Sequence, residues 1–211
     1  MRKLFLSAAV LALAVAPAMA GKYNSKLSIG DKAPDFSGVQ AINPSTGETV
    51  SLSLADIKED YVVVVFLANH CPVVQASDDR VIDLVKKYEG KPIKVVGICC
   101  TDDSSNLGNT DNLDAIKKRG KDKGFNYVYG YDPSGAIGRA YGAKVTPEVV
   151  VLDKDRNVQY LGTIDDAPQN ESKVQKTYLT DALDALLAGT EVAVKETPVA
   201  GKGCGIMYKG K

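Results

Sequence analysis

The eight residues Tyr61–Ala68, YVVVVFLA, constrain this chain more than any other stretch. The run is apolar and β-branched, with none of the alternation that marks a strand with one wet face. Such a strand is covered on both sides and belongs inside a sheet flanked by other layers. The polar corner Asn69-His70-Cys71-Pro72 ends it, and the period then changes. Val74, Val81, Leu84 and Val85 recur at helical spacing, with Asp78, Asp79, Arg80, Lys86 and Lys87 assigned to the other side, until Gly90 stops the pattern. IKVVGICC, from Ile93 to Cys100, is the next buried strand. Strand, helix and strand in this order imply two parallel neighbours joined by a crossover.

The remaining elements extend that unit. ETVSLSLADI (residues 48–57) alternates as a short edge strand does. DNLDAIKKRGKDKGF reads as a second helix with Asp111 as its N-cap. YVYGYD is a short strand, and PSGAIGRAYG a short helix with Pro133 in its first turn. Two strands flank the charged turn from Asp153 to Asn157 as an antiparallel hairpin. Residues 172–189 make an amphipathic helix with Val174, Tyr178, Ala182, Leu183 and Leu186 as its apolar stripe. Residues 21–30 read as a loose lead-in. The expected fold class is α/β, a mixed central sheet with helices on both faces, in one domain over 21–189. The Gly- and Lys-rich tail 190–211 is expected to be irregular and flexible.

Residues 1–20 stand apart. Arg2 and Lys3 precede an apolar stretch that ends in Ala18-Met19-Ala20, the small-x-small pattern of a cleaved signal peptide. The stretch is short for a bilayer crossing, so the expectation is an exported protein, periplasmic or secreted, without a membrane span after cleavage. That leader holds two basic and no acidic residues, which leaves 24 basic against 26 acidic ones, a net charge of −2. This balance gives no footprint for nucleic acid or anionic lipid. KKRGKDKG, from Lys117, reads as a solvated helix face.

Chemistry is expected at the cysteines. The four, Cys71, Cys99, Cys100 and Cys204, form no CxxC pair and share one histidine, His70, so they match no zinc pattern. No cofactor is implied. A chain of this length has its own core and does not need disulfide staples, which points to reactive thiols. Cys71 lies where a buried strand enters a helix. Free N–H groups and the positive dipole end there favour negative charge on sulfur, which makes Cys71 a candidate nucleophile.

GDKAPDF, the strand ending in NHCP, VTP followed by EVVVLD, and GCGIMYK near the C-terminus together resemble the thioredoxin-like redoxin superfamily. Within it they are most similar to the branch of alkyl hydroperoxide reductases and thiol-specific antioxidant proteins. The resemblance runs over roughly residues 27–209 and rests on the order and spacing of these motifs. It implies a thioredoxin-like fold, places Cys71 in the catalytic motif, and puts Thr146-Pro147 where such folds keep a cis-proline facing the redox cysteine.

Two departures qualify what the resemblance implies. Relatives carry Cys-x-x-Cys-Pro at this corner, but here the first cysteine is Ala68, so no local dithiol cycle is possible. Similar peroxidases carry Thr or Ser at that same position and an arginine near the thiolate. Arg80 and Arg139 are the arginines considered for that role, each more readily read as a surface residue. For a second thiol, Cys204 in the glycine-rich tail is one candidate and Cys99 or Cys100 another; alternation turns those two to opposite faces. A free tail thiol or an intermolecular disulfide also fits. His70 reads as a polar turn residue, Asp165-Asp166 as a solvated turn, and Asn170-Glu171-Ser172 as a glycosylation sequon that matters only in a eukaryotic secretory pathway. The expected function is a thiol-dependent oxidoreductase acting through Cys71 on peroxides or on a thiol or disulfide partner, resolved by Cys204. The alternative is a non-catalytic thioredoxin-fold module that binds a partner protein or a soft metal ion such as copper.

Overall fold

From Val62 to Phe66 every side chain of the valine-rich run is fully buried. The structure, a computed structural model, describes residues 21–102 and 106–210; the expected leader lies outside them. In chain order the elements are β1 (Val39–Ile42), β2 (Thr49–Leu52), β3 (Tyr61–Phe66), α1 (Pro72–Lys87) and β4 (Ile93–Cys99). Then come α2 (Gly108–Asp111), α3 (Leu113–Lys123), β5 (Val128–Tyr131), α4 (Ala136–Tyr141) and β6 (Val145–Thr146). The chain finishes with β7 (Glu148–Leu152), β8 (Val158–Gly162), α5 (Tyr178–Leu187) and β9 (Cys204–Gly205).

Seven strands form one mixed sheet in the order β2-β1-β5-β4-β3-β7-β8. β3 pairs parallel with β4 and antiparallel with β7, so it has a neighbour on each side. Its side chains alternate between two core layers. Val63 and Val65 pack with Val74 and Val81 of α1, Ile116 of α3, and Leu179 and Leu183 of α5. Val62, Val64 and Phe66 pack with Ile137 and Tyr141 of α4 and with Leu27 and Phe36. Each such burial contributes about 1.5–3 kcal/mol relative to an exposed side chain. This is the expected α/β architecture, with β2 at an edge and the β7–β8 hairpin around the charged turn.

Several local expectations need correction, each for a physical reason. β1 was not anticipated, because four residues between Gly38 and Pro44 are too few to show a period; it inserts between β2 and β5. The lead-in is pinned rather than loose. Asn24 is buried, accepts from the N–H groups of Lys26 and Leu27, and donates to the Tyr141 carbonyl. Asn112, not Asp111, caps α3 by accepting from Ala115 N–H. α4 begins after Pro133, where the Asp132 carboxylate takes the Ile137 N–H. Asp78 lies on the buried side of α1, paired with Arg119. Asp166 accepts from Gln175 and Lys176 N–H in a bend, so α5 starts only at Tyr178 and leaves Val174 outside.

The tail carries little regular structure but lies against the domain. Thr197 N–H donates to the Leu161 carbonyl, and Leu161 N–H donates to that of Lys195. Further on, β9 pairs antiparallel with β6, and Ile206 and Tyr208 are buried. Tyr208 donates to the Ala143 carbonyl at 2.7 Å and lies under the Arg139 guanidinium. The ring has room because residues 135 and 138 are both glycine: a Cβ at 138 would sit 2.4 Å from Tyr208 Oη, and one at 135 would sit 2.6 Å from its Cδ1.

That contact predicts the effect of Gly138→Ala. Alanine raises helix propensity by about 1 kcal/mol, but forcing a methyl group onto a packed ring costs about 1–3 kcal/mol. The expected outcome is a lower Tm and faster proteolytic cleavage beyond Gly189. Unchanged tail protection would show that Tyr208 does not anchor the tail.

Candidate functional site

β3 delivers the chain to the site. Leu67 N–H still donates to the Ile98 carbonyl, and a tight turn closes from Cys71 N–H to the Ala68 carbonyl. Cys71 is the N-cap residue of α1, with Pro72 filling the first helical position. A proline is tolerated there because its missing N–H would be unpaired in any case. The Cys71 side chain is fully buried. Its thiol donates to the Thr146 carbonyl at 3.1 Å, and its sulfur lies 2.8 Å from Cys204 Sγ.

Thr146 and Cys204 arrive on separate segments. The Thr146–Pro147 peptide bond is cis. Glu148, buried just beyond it, accepts from the N–H groups of Lys144 and Val145 and so shapes the approach to Thr146. Burial raises the Glu148 carboxyl, and those two hydrogen bonds oppose the rise. Across from Thr146, β9 sets Cys204 in antiparallel register. The strands approach so closely that a Cβ on Gly203 would stand 2.3 Å from the Thr146 carbonyl oxygen. Burial, together with the hydrogen bond and charge of Cys71, pushes the Cys204 thiol up to about 11.

The other two thiols go elsewhere. Cys99 packs in the same core layer as Cys71 but donates to the Asp111 carbonyl at 3.6 Å. Burial first, then the Asp111 charge, pushes it up to about 12. Cys100 turns into the opposite layer, 4.0 Å from Asp132 Oδ2, and burial raises it well above the ordinary thiol value. Of the second-thiol candidates, the structure brings Cys204 against Cys71.

His70 is more than a turn residue. Its Nδ1 meets Asp111 Oδ2 at 2.5 Å, and its backbone N–H donates to Asp111 Oδ1 at 3.0 Å. The Asp111 side chain is fully buried. Burial would raise its carboxyl, but hydrogen bonds from His70 and Thr101 outweigh that and hold it below the usual carboxylate value. Asn69 adds a bond to the Thr110 carbonyl. The corner that holds Cys71 is therefore tied to α2, which the sequence reading missed. The available signal was the one histidine, next to Cys71.

Both arginines considered for a peroxide site are committed elsewhere. Arg80 is half-buried, pairs with Asp165 and donates to the Pro168 carbonyl. Arg139 donates to the carbonyls of Ser134 and Lys209 and covers Tyr208. Asp165 is accordingly an ion-pair partner and not a solvated turn residue. Among the described residues, no three His, Cys, Asp or Glu side chains converge as a metal-ligand set. Nor is any helix among them long and apolar enough to cross a membrane.

Comparison with known proteins agrees with this fold. The sequence model of the Redoxin family matches residues 28–178. A conserved uncharacterised protein of Geobacillus kaustophilus is 31% identical, with a TM-score of 0.75 over 89% of this chain and 96% of its own. A hypothetical protein of Sinorhizobium meliloti is 27% identical at the same TM-score, over 89% of this chain and 98% of its own. A Chlorobium tepidum protein assigned as a thiol:disulfide interchange protein DsbE shares the fold at 23% identity. Its TM-score is 0.58 over 76% of this chain and 99% of that one. No curated protein matches the sequence. The fold is thioredoxin-like.

The Asp111 carboxylate has a measurable pH signature. Its folded-state value is depressed, so its stabilisation is present above the unfolded value of about 3.9 and is lost as pH falls through the folded value. Asp111→Asn is expected to cost about 1–3 kcal/mol at neutral pH, through imperfectly met buried hydrogen bonds. The difference from wild type should shrink in acid below about pH 4. Urea unfolding across pH tests this; a constant difference would assign the loss to packing alone.

Proposed function

The chain belongs to the redoxin family, and on that premise we propose that it is an exported thiol–disulfide oxidoreductase whose two-electron couple is Cys71 and Cys204. The observation that carries this reading is the 2.8 Å contact between the two sulfurs. Oxidation joins them as a disulfide with the loss of two electrons and two protons; reduction by outside thiols reverses it. In this arrangement the missing thiol at Ala68 is replaced by one from the tail. Residues 21–189 serve as the redox domain and 190–211 as the arm that brings the second sulfur.

A disulfide or thiol partner has more support than a peroxide. The hydroxyl expected beside a peroxidatic sulfur is replaced by Ala68, Arg80 and Arg139 are engaged elsewhere, and the Cys71 sulfur is covered. A purely binding module has less support, because a lost activity would not need a thiol pair in contact. The sequence of the leader supports export, and with it a periplasmic or secreted setting where such exchange is useful.

The test is mild oxidation of the reduced protein followed by mass mapping. The expected product loses two hydrogens and yields one cross-linked peptide pair containing Cys71 and Cys204. Cys204→Ser should abolish that product. A link from Cys71 to Cys99 or Cys100, or no internal disulfide, would count against the assignment.

A further inference from the structure

The two sulfurs of the couple differ in access. Cys71 is fully buried, beneath the Thr146 carbonyl and Cys204, whereas Cys204 is partly exposed. The arm is fixed on both sides of Cys204. Upstream, the Thr197 hydroxyl accepts from Thr163 N–H and lies 3.1 Å from the Tyr160 hydroxyl. Downstream, Ile206 N–H donates to the Lys144 carbonyl, the Met207 carbonyl accepts from Asp102 N–H, and Tyr208 is held in its socket. Between these anchors Gly203 rests on the Thr146 carbonyl, so the arm covers Cys71 closely. A group arriving from solvent meets Cys204 first.

We propose, building on the redox-couple reading, that Cys204 is the sulfur at which outside thiols enter, and that Cys71 is the buried leaving group. An outside thiolate attacks Cys204 Sγ of the internal disulfide, forming a new S–S bond and breaking the Cys71–Cys204 bond. The electron pair of the broken bond stays on Cys71 Sγ, at the N-terminal end of α1, where negative charge is favoured. A second thiolate of the donor then attacks the donor sulfur of the mixed disulfide. Cys204 leaves and takes up a proton, and the donor departs as a disulfide. Two electrons have passed from a dithiol donor to the protein, and the atoms balance. The point of entry is a residue that stands in for the thiol absent at Ala68.

The experiment uses the oxidised protein and glutathione as the probe thiol. The protein is mapped first to establish the Cys71–Cys204 disulfide; its absence would overturn the redox-couple reading and this proposal with it. Glutathione is then added for short times, the reaction is quenched in acid, and free thiols are alkylated with a maleimide under denaturing conditions. The expected early product carries glutathione on Cys204 and maleimide on Cys71, in roughly tenfold or greater excess over the converse. Glutathione on Cys71, equal labelling of the two, or an intact disulfide with no adduct at either sulfur would overturn the proposal while leaving the redox couple standing.

Discussion

The burial of β3 on both faces fixes where Cys71 can be. With Val63 and Val65 in one layer and Val62, Val64 and Phe66 in the other, a shift of one residue would exchange the two sets between the layers. Neighbours β4 and β7 lock the register further. The strand therefore ends at one place only, and the turn after it sets Cys71 at the start of α1. The Cys71 sulfur takes its position from the packing of an apolar core.

Around that fixed point the site is assembled from segments distant in sequence. Thr146, in the short β6, supplies the carbonyl facing the thiol, and Cys204 arrives on β9. Asp111 ties α2 to the backbone and ring of His70, one residue from Cys71. These contacts are polar, and their partners are buried or half-buried, so each is costly to leave unmade. The valine core places the sulfur, and the polar contacts decide what surrounds it.

This division explains what the sequence revealed. The α/β layering was legible, because Tyr61–Ala68 and Ile93–Cys100 are long apolar runs with a helical period between them. The place of Cys71 at a strand-to-helix corner was legible as well. The pairing with Cys204 was one of several open options, since nothing local distinguishes a tail thiol that docks from one that does not. The docking depends on Tyr208 finding space beside Gly138, a steric match between residues far apart in the chain. Asp111 was misread because an acidic residue ahead of a helical period is the ordinary sign of an N-cap. Here Asn112 performs that task and leaves Asp111 free to bind His70. β1, β6 and β9 escaped because each is only two to four residues long and no alternation extends beyond it, as it does around β2.

In the proposed couple the two thiols stand 133 positions apart, and that separation changes its physics. In a Cys-x-x-Cys corner the second thiol is always at hand. Here its local concentration depends on how firmly the arm is docked, and a flexible tether alone gives only millimolar values. A disulfide that closes so long a loop restricts the unfolded chain strongly, by about 4–5 kcal/mol in the chain-entropy account. The docked arm and the oxidised couple therefore stabilise one another, and linkage makes the coupling reciprocal. Contacts far from sulfur, such as Tyr208 with Ala143 or Thr197 with Thr163, become part of the redox balance. With alanine at position 68, the proposed couple takes its control from the packing of a tail and not from a turn.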